Sequence, residues 1–571
     1  IHGMAITLTF SGRLNEATVL MQRALSISEK VYGARHPSTA ASLNALARTY
    51  VQLSQFDQAL SLQLRALEIN EEILGHKNSA TAESLNDIAY SYAALGQFDQ
   101  ALTMGQRALS INQELFGDEH PRTLISLAYL AKTAHEMGDE NWAISLLKAV
   151  VNGLQGLRYK VSRVGDVESN SFTNLASPSY QLLARLLSSQ GRLLEAQTVL
   201  DMLKQSEFFE FTSRNKLADL RQTRIGYTEL ENDWMVRYRQ VAGRLAALGA
   251  EMQVLREQEK FGLSAEQKIR MRVLNDDLLT AQKAFHSFLN DMRLNFVGSG
   301  PARSVDIVEL SSSAGVERQS LIRGLGSDVV LLQYYVTDDQ VGILLTTSGV
   351  QLARSTKIKS TELNRQIAEF RRSLRDPKSN LLPVSQALYQ HLVAPVVQDI
   401  EQAGAKTVML SLDGALRYLP FGALHDGQRY LAQRWNLPIY TSVTKSRLLD
   451  AVTPKWQAAG LGLTKALGEF PALPAVKAEI KSIVKAGEDG VMPGEVHLDS
   501  AFTAARLKDV SQRPFQLVHV ASHFRFSPGT EVNSFLLLGD GQQLTLGDIR
   551  TQNFRFDNVD LLTLSACDTG L

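Results

Sequence analysis

The sequence contains little cysteine and no long apolar run, and both features narrow what the protein can be. Cys567 is the only cysteine among 571 residues. No disulfide can therefore form within the chain, and a reducing, cytoplasmic location is expected. No run of 18 apolar residues occurs, so the sequence predicts no membrane span. Basic and acidic residues both total 59, which gives no indication of a nucleic-acid partner.

Sequence signatures of metal and nucleotide sites are also missing. His36, His120 and His135 do not have the paired spacing of metal ligands. The glycine-containing segment GLGLTKALG at 460–468 lacks the Lys-Ser/Thr pair of a phosphate-binding loop. We therefore expect neither a metal nor a cofactor.

What the sequence does contain is a repeat of 42 residues over its first 150 residues. A segment that begins at Ser42 matches one that begins at Ser84 without gaps, and small residues recur in register (Ala17, Ala59, Ala101, Ala143; Gly33, Gly75, Gly117). Each unit predicts two amphipathic helices, and a weaker unit follows at 180–200.

The pattern ALGQFDQAL at 94–102 resembles the tetratricopeptide repeat, in the 42-residue form of kinesin light chains. This resemblance implies an all-α solenoid over residues 1–210, whose concave surface docks a protein substrate or activator. A rigid spacer is the alternative. Ile1 aligns with Leu43, inside a repeat helix, so we expect that residues preceding Ile1 are missing and could include a targeting signal.

Residues 211–300 are predicted to form a long helical hairpin with its linker. Two charged, leucine-rich stretches between Thr228 and Arg293 contain no proline and flank Gly262. Ser264 and Gln267 have the spacing of a capping box at the start of the second helix. The charged surface is either solvated or contacts a partner helix.

Residues 301–571 are predicted to form an α/β domain with a mainly parallel sheet. A strand meander begins after Gly326, and short apolar runs at 407–412, 517–522 and 560–566 alternate with helical stretches. The second run leads into His523 and the third into Cys567. If these two strands are neighbours, a thiol and an imidazole share one edge of the sheet. A buried structural cysteine is the alternative.

The motifs HVASH (519–523), LLLGDGQQLT (536–545) and LSACDTG (564–570) resemble the CHAT domain, a caspase-like fold associated with tetratricopeptide repeats in bacteria. DGALRYLPFGAL at 413–424 also resembles this family. The resemblance covers about 328–571. It implies that Cys567 is the nucleophile, that His523 is the general base and acid, and that His519 is a supporting histidine.

Substrate recognition is less well defined. The resemblance implies that Ser565, two residues before the cysteine, lines the first specificity pocket. Asp413 follows the strand at 407–412 and could favour a basic substrate residue, with a turn aspartate as the alternative. The chain also has Phe524 where the family usually has glycine. The backbone amide at this position is expected to bind the oxyanion, and phenylalanine restricts φ there and so affects where the amide lies.

The resemblance thus implies a multidomain, caspase-like cysteine endopeptidase of bacterial signalling, defence or regulated cell death. Its repeats would dock a substrate or an activator. The alternative is a non-catalytic repeat scaffold for protein assembly. In the family, further elements follow the cysteine motif, so we expect that this chain alone is inactive.

Overall fold

The structure is a computed structural model that describes residues 3, 8, 13–161, 169–212, 224–297, 320–376, 378–441, 455–485, 490–525, 534–552, 554–556 and 559–565. The chain divides into two compact units. The first comprises Ile1–Gln205 and Leu217–Lys445, and the second comprises Ser206–Lys216 and Ser446–Leu571. The boundaries expected from sequence, after residues 210 and 300, remain predictions.

Paired helices make up the N-terminal part of the chain, as the 42-residue period predicts. They are α1 (Leu14–Tyr32), α2 (Pro37–Gln52), α3 (Phe56–Leu74), α4 (Ser79–Ala94), α5 (Phe98–Phe116), α6 (Pro121–Glu136), α7 (Glu140–Val161), α8 (Ser169–Ser189) and α9 (Leu193–Thr212). From α1 to α8, each helix packs against the next one. The predicted helical solenoid is therefore confirmed.

A buried polar ladder repeats with the same period and fixes how the helix pairs stack. Each of two serines accepts hydrogen bonds from two asparagines: Asn44 and Asn70 donate to Ser84 at 3.0 and 3.1 Å, and Asn86 and Asn112 donate to Ser126 at 2.9 and 2.8 Å. Because these hydrogen bonds are buried and join different helices, they hold each repeat in register with the next.

The side chains that begin the first helices of the repeats also recur every 42 residues. His36 and His120 accept the backbone N–H two residues on through Nδ1, at 3.1 and 3.2 Å, and Asn78 does so through Oδ1 at 2.9 Å. The two histidines therefore act as helix caps.

The predicted helical hairpin is present as α10 (Glu229–Glu259) and α11 (Ala265–Val297), which pack on α5, while α11 also packs on α7. Gly262 adopts φ +95° between them, and Ser264 and Gln267 form the expected capping box. A Cβ at Gly249 would lie 2.0 Å from the carbonyl oxygen of Glu114. The lack of a side chain there allows α10 to approach α5 closely.

The base of the hairpin is held by a buried group of four charges. The side chains of Lys148 and Arg192 form ion pairs with those of Glu195 and Glu231, and all four lie out of solvent. Two cations and two carboxylates balance, as buried charges require. This group joins α7, the start of α9 and the first turn of α10.

The first unit also contains a mixed sheet in the order β3-β2-β1-β4. Its strands are β1 (Val329–Val336), β2 (Gln340–Thr346), β3 (Gln351–Lys357) and β4 (Thr407–Ser411), and helices α12 (Ser360–Arg375), α13 (Leu382–Leu392) and α14 (Val397–Gln402) accompany it. The meander β1–β3 is antiparallel, and β4 pairs parallel to β1. The sequence grouped the run at 407–412 with the later parallel strands in one sheet. This grouping is wrong, because β4 pairs with β1 of the meander.

This sheet packs against the last solenoid helices, which sequence reasoning did not foresee. Gln197 on α9 donates to Gln333 on β1 at 2.7 Å, and Tyr335 and Leu344 join the apolar core of the solenoid and the hairpin. The meander and the last repeat thus share a core.

The second unit contains a five-stranded sheet, parallel throughout, in the order β12-β8-β5-β7-β6. The elements of this unit are β5 (Ala458–Gly462), α15 (Val476–Ile483), β6 (Val484–Lys485), β7 (Met492–Leu498), α16 (Ala504–Gln512), β8 (Leu517–Ala521), β9 (Phe524–Arg525), β10 (Phe535–Leu537), β11 (Gln543–Thr545), α17 (Leu546–Thr551) and β12 (Leu561–Ser565). The predicted mainly parallel sheet is confirmed. Strands β9, β10 and β11 form a small antiparallel sheet beside it.

The sequence predicted no membrane span, and the helices of the structure bear on this prediction. In the described ranges, no helix combines the length and the apolar character that a membrane crossing needs.

Candidate active site

The strands that lead into His523 and Cys567 are direct neighbours. Strand β8 pairs parallel with β12, from Leu517 opposite Leu561 to Ala521 opposite Ser565. Beyond the paired residues, the Ser522 amide donates to the Ser565 carbonyl at 3.1 Å. Every pair in this register is separated by 44 residues, the same spacing that separates His523 from Cys567 in the sequence. The sequence left open whether these two strands are neighbours, and the structure shows that they are.

His523 lies two residues beyond β8 and is held by a backbone carbonyl. Its Nε2 lies 2.8 Å from the carbonyl oxygen of Pro471, and its ring centroid is 5.3 Å from that of Phe470. A carbonyl oxygen can only accept, so Nε2 is the protonated nitrogen of this hydrogen bond. Nδ1 is then the nitrogen that remains to exchange a proton with a thiol.

His519 bridges the strand pair from the sheet face. Its Nδ1 lies 2.5 Å from the hydroxyl of Thr563 on β12, and its Nε2 lies 3.2 Å from the Glu479 carboxylate on α15. The ring is buried, so both nitrogens need these partners. The contacts fit the supporting role expected for His519, because they tie β8 to β12 and to α15.

Of the other residues expected at the catalytic edge, the structure describes Ser565 and Phe524. Ser565 is the last residue of β12 and is partly exposed, whereas Cys567 lies outside the described residues. Phe524 begins β9, opposite Leu536 on β10, and its φ is not positive. A strand position of this kind accommodates phenylalanine without strain.

Asp413 belongs to the first unit, whereas His519, His523 and Ser565 belong to the second. Asp413 is 1% exposed, and its carboxylate accepts hydrogen bonds from the Gln181 amide and the Val336 N–H, both at 2.9 Å. Lys204 forms an ion pair with it at 3.3 Å. These contacts favour a structural aspartate over the predicted substrate contact.

Sequence reasoning missed Pro471, the residue that orients His523. It lies in the segment between β5 and α15, 52 residues before the histidine. Because the contact is made by a backbone carbonyl, no side-chain pattern could reveal it. Within the part of the chain that the structure describes, no group of His, Cys, Asp or Glu side chains is placed to hold a metal ion.

Comparison with known families agrees with this architecture. The CHAT domain model matches residues 382–571, and the tetratricopeptide repeat model matches residues 1–72 and 80–155. No protein of curated function matches the chain.

Among solved structures, similarity is found to the TPR-like repeats of a putative kinesin light chain and to BtubC (BKLC). A substituted variant of the nearly identical TPR-like repeats of a putative kinesin light chain from Podosopora anserina is 27% identical, over 36% of this chain and 92% of that chain, with a TM-score of 0.29. A second structure of those repeats is 26% identical, over 37% and 95%, with a TM-score of 0.29. BtubC (BKLC) from P. vanneervenii is 18% identical, over 38% and 81%, with a TM-score of 0.30.

Proposed function

We propose that this chain, which joins N-terminal tetratricopeptide repeats to a CHAT domain, is a caspase-like cysteine endopeptidase that acts on a protein partner. The observation that carries the proposal is the parallel pairing of β8 with β12. Carboxyl ends of parallel strands meet at one edge of a sheet, where catalytic groups of α/β proteins gather. The strands in question are those that precede His523 and Cys567.

In this mechanism His523 removes the proton of the Cys567 thiol, and the thiolate attacks the carbonyl carbon of the scissile peptide bond. The leaving amine takes its proton from His523, and a thioester remains on Cys567. Water then hydrolyses the thioester with His523 as the base. The Pro471 carbonyl orients the ring by accepting a hydrogen bond from Nε2.

A scaffold without catalysis is the second candidate, supported by the repeats, since tetratricopeptide repeats in general mediate contacts between proteins. The two candidates differ in what they require of Cys567. A catalytic cysteine needs an imidazole partner that promotes its ionisation, whereas a scaffold needs no reactive thiol.

The rate of Cys567 alkylation by iodoacetamide distinguishes these candidates. The protein is expressed from its complete gene, and alkylation between pH 5 and 9 is followed by mass spectrometry of the peptide that contains Cys567. His523→Ala should slow alkylation at pH 6.5 by about tenfold or more, because the thiolate loses its partner. His391→Ala, a histidine change in the first unit, serves as the control. Equal rates for the wild type and His523→Ala would contradict the proposed dyad.

A further inference from the structure

Asp499 occupies an unusual backbone position at the carboxyl end of β7. Its φ is +52°, in the left-handed region, and Ser54 is the other non-glycine residue with a positive φ in the described ranges. Aspartate tolerates this region better than most residues but is still disfavoured relative to glycine. A disfavoured conformation persists only where the surroundings hold it in place, which makes the contacts of Asp499 informative.

The Asp499 carboxylate holds the beginning of the segment that follows β5. Its Oδ1 accepts the Thr464 N–H at 2.8 Å and the Lys465 N–H at 3.3 Å, and the Thr464 hydroxyl lies 2.9 Å from both carboxylate oxygens. Burial opposes ionisation of this carboxyl, but the hydrogen bonds from Thr464 and Lys465 outweigh it and lower its pKa. The carboxylate is therefore the form that binds the segment.

Thr464 is also the base of a closed loop that contains Pro471. Its carbonyl accepts the Leu473 N–H at 3.1 Å, so residues 464–473 close on themselves. Within this loop, Leu467 and Phe470 exchange two backbone hydrogen bonds of 3.0 Å around Gly468, which has φ +58°. Because the loop is closed in this way, a shift of Thr464 at its base also shifts the Pro471 carbonyl.

The backbone of Asp499 is fixed on the opposite side. The carbonyl oxygen of Asp499 accepts the Phe502 N–H at 2.8 Å, and the Phe502 carbonyl accepts the Gly539 N–H at 2.8 Å. A Cβ at Gly539 would lie 1.7 Å from the Asp499 carbonyl oxygen, so the two backbones are in close contact. Phe502 is fully buried in the core. Asp499 thus links the loop to a rigid part of the second unit.

We propose that Asp499 is a positioning residue for His523, acting through Thr464 and the Pro471 carbonyl. The inference rests on the proposed function, because it assigns a role within that same site. Asp499 holds the loop, the loop presents the carbonyl, and the carbonyl sets the orientation of the imidazole. Displacing a catalytic group by about 1 Å can cost about a hundredfold in rate, so loss of the anchor should be measurable.

The test compares variants that separate the carboxylate from the backbone conformation. Asp499→Gly removes the carboxylate, and glycine adopts a φ of +52° without strain. Asp499→Asn keeps an oxygen that can accept a hydrogen bond, and asparagine also tolerates a positive φ. The control is Asp548→Ala. Asp548, also in the second unit, likewise accepts a backbone N–H and a hydroxyl, both from Thr545, at 3.0 and 2.6 Å. The readout is the rate of Cys567 alkylation against pH, with wild type and His523→Ala as references.

Asp499→Gly should slow alkylation at pH 6.5 by about tenfold and move the pH profile towards that of His523→Ala, because the ring loses its orientation. Asp499→Asn should restore the rate to within about threefold of the wild type, since the amide oxygen can still accept from Thr464. Asp548→Ala should keep the wild-type profile.

Three results would overturn the inference, and the failure of the positioning role is distinguishable from the failure of the proposed function. If Asp499→Gly keeps the wild-type profile while His523→Ala loses it, or if Asp548→Ala slows alkylation as much, the dyad stands and the positioning role is wrong. If His523→Ala itself matches the wild type, the proposed function fails, and the positioning role fails with it.

Discussion

At the scale of single residues, His523 depends on a backbone atom rather than on a side chain. The Pro471 carbonyl accepts from Nε2 at 2.8 Å, while His519, four residues earlier, bridges Thr563 and Glu479. The two histidines of the HVASH motif therefore have different surroundings, one partly exposed beside a loop and one buried on the sheet face. This difference supports their assignment to different roles.

A second residue makes a prediction about pH. Asp87 on α4 is 8% exposed and pairs with Arg48 at 3.0 Å. Burial raises the pKa of its carboxyl from 3.8 to about 6, although Arg48 favours the charged form. An acid whose pKa is raised by folding contributes stability below its unfolded pKa, and this contribution is lost as pH rises through about 6.

The comparison of wild type with Asp87→Asn isolates this contribution, because asparagine does not titrate. Between pH 4.5 and 7.5 the free energy of unfolding of the wild type should fall relative to that of Asp87→Asn by on the order of 1–2 kcal/mol. Urea unfolding of both proteins at the two pH values measures the difference. A difference that is constant with pH, or that grows in favour of the wild type, would contradict the raised pKa.

At the scale of elements, the sequence predicted those elements whose pattern is local. The 42-residue offset predicted the helix pairs, and the Ser264–Gln267 spacing predicted the start of α11. The strands β8 and β12 were visible as apolar runs. Their neighbour relation was not, because strand order depends on contacts between residues 44 positions apart.

Other features could not be read from the sequence because they depend on the tertiary partner. Strand β4 has the apolar character of a buried parallel strand, yet its neighbour is β1 of the meander. The sequence left Asp413, which follows β4, open between a substrate contact and a turn aspartate, and in the structure its carboxylate is bound by Gln181, Val336 and Lys204. The apolar run indicated the strand and could not identify the sheet to which it belongs.

The hairpin provides a prediction with a matched control in the same helix. Gly249→Ala should lower the unfolding midpoint, because its Cβ would collide with the Glu114 carbonyl at 2.0 Å and displace α10 from α5. Gly243→Ala meets no atom within 4 Å and should raise the midpoint slightly, since alanine favours helix over glycine by about 1 kcal/mol. Thermal unfolding of the two variants measures this contrast. Equal midpoints would show that α10 does not approach α5 as described.

At the scale of the whole molecule, the proposed function assigns partner docking to the repeats and catalysis to the second unit. The hairpin covers the second helices α5 and α7, whereas the first helices carry Arg48, Tyr90 and Lys132 at intervals of 42 residues. The Lys132 ammonium lies 4.5 Å from the ring centroid of Tyr90, and none of the three side chains is fully buried. Tyrosine and arginine side chains are frequent anchors of protein interfaces. The proposed function therefore predicts that the protein partner contacts this row.

Tyr90→Ala should therefore weaken binding of the partner by about tenfold or more, as loss of an interface anchor does. Leu64→Ala on the second helix α3 is the control, because its side chain is 41% exposed and lies outside the row. Isothermal titration calorimetry measures both affinities, with the protein that the wild type cleaves as the ligand. If Leu64→Ala weakens binding and Tyr90→Ala does not, the partner docks elsewhere.

The central claim, that Cys567 and His523 cleave a protein partner, is tested most directly by proteolysis. The protein is expressed from its complete gene, incubated with the proteins encoded by neighbouring genes, and analysed by gel electrophoresis and mass spectrometry. We predict that the wild type cleaves one of these proteins and that Cys567→Ala and His523→Ala do not. Cleavage by all three proteins alike, or by none of them with any candidate partner, would contradict the claim and leave the repeat scaffold as the better account.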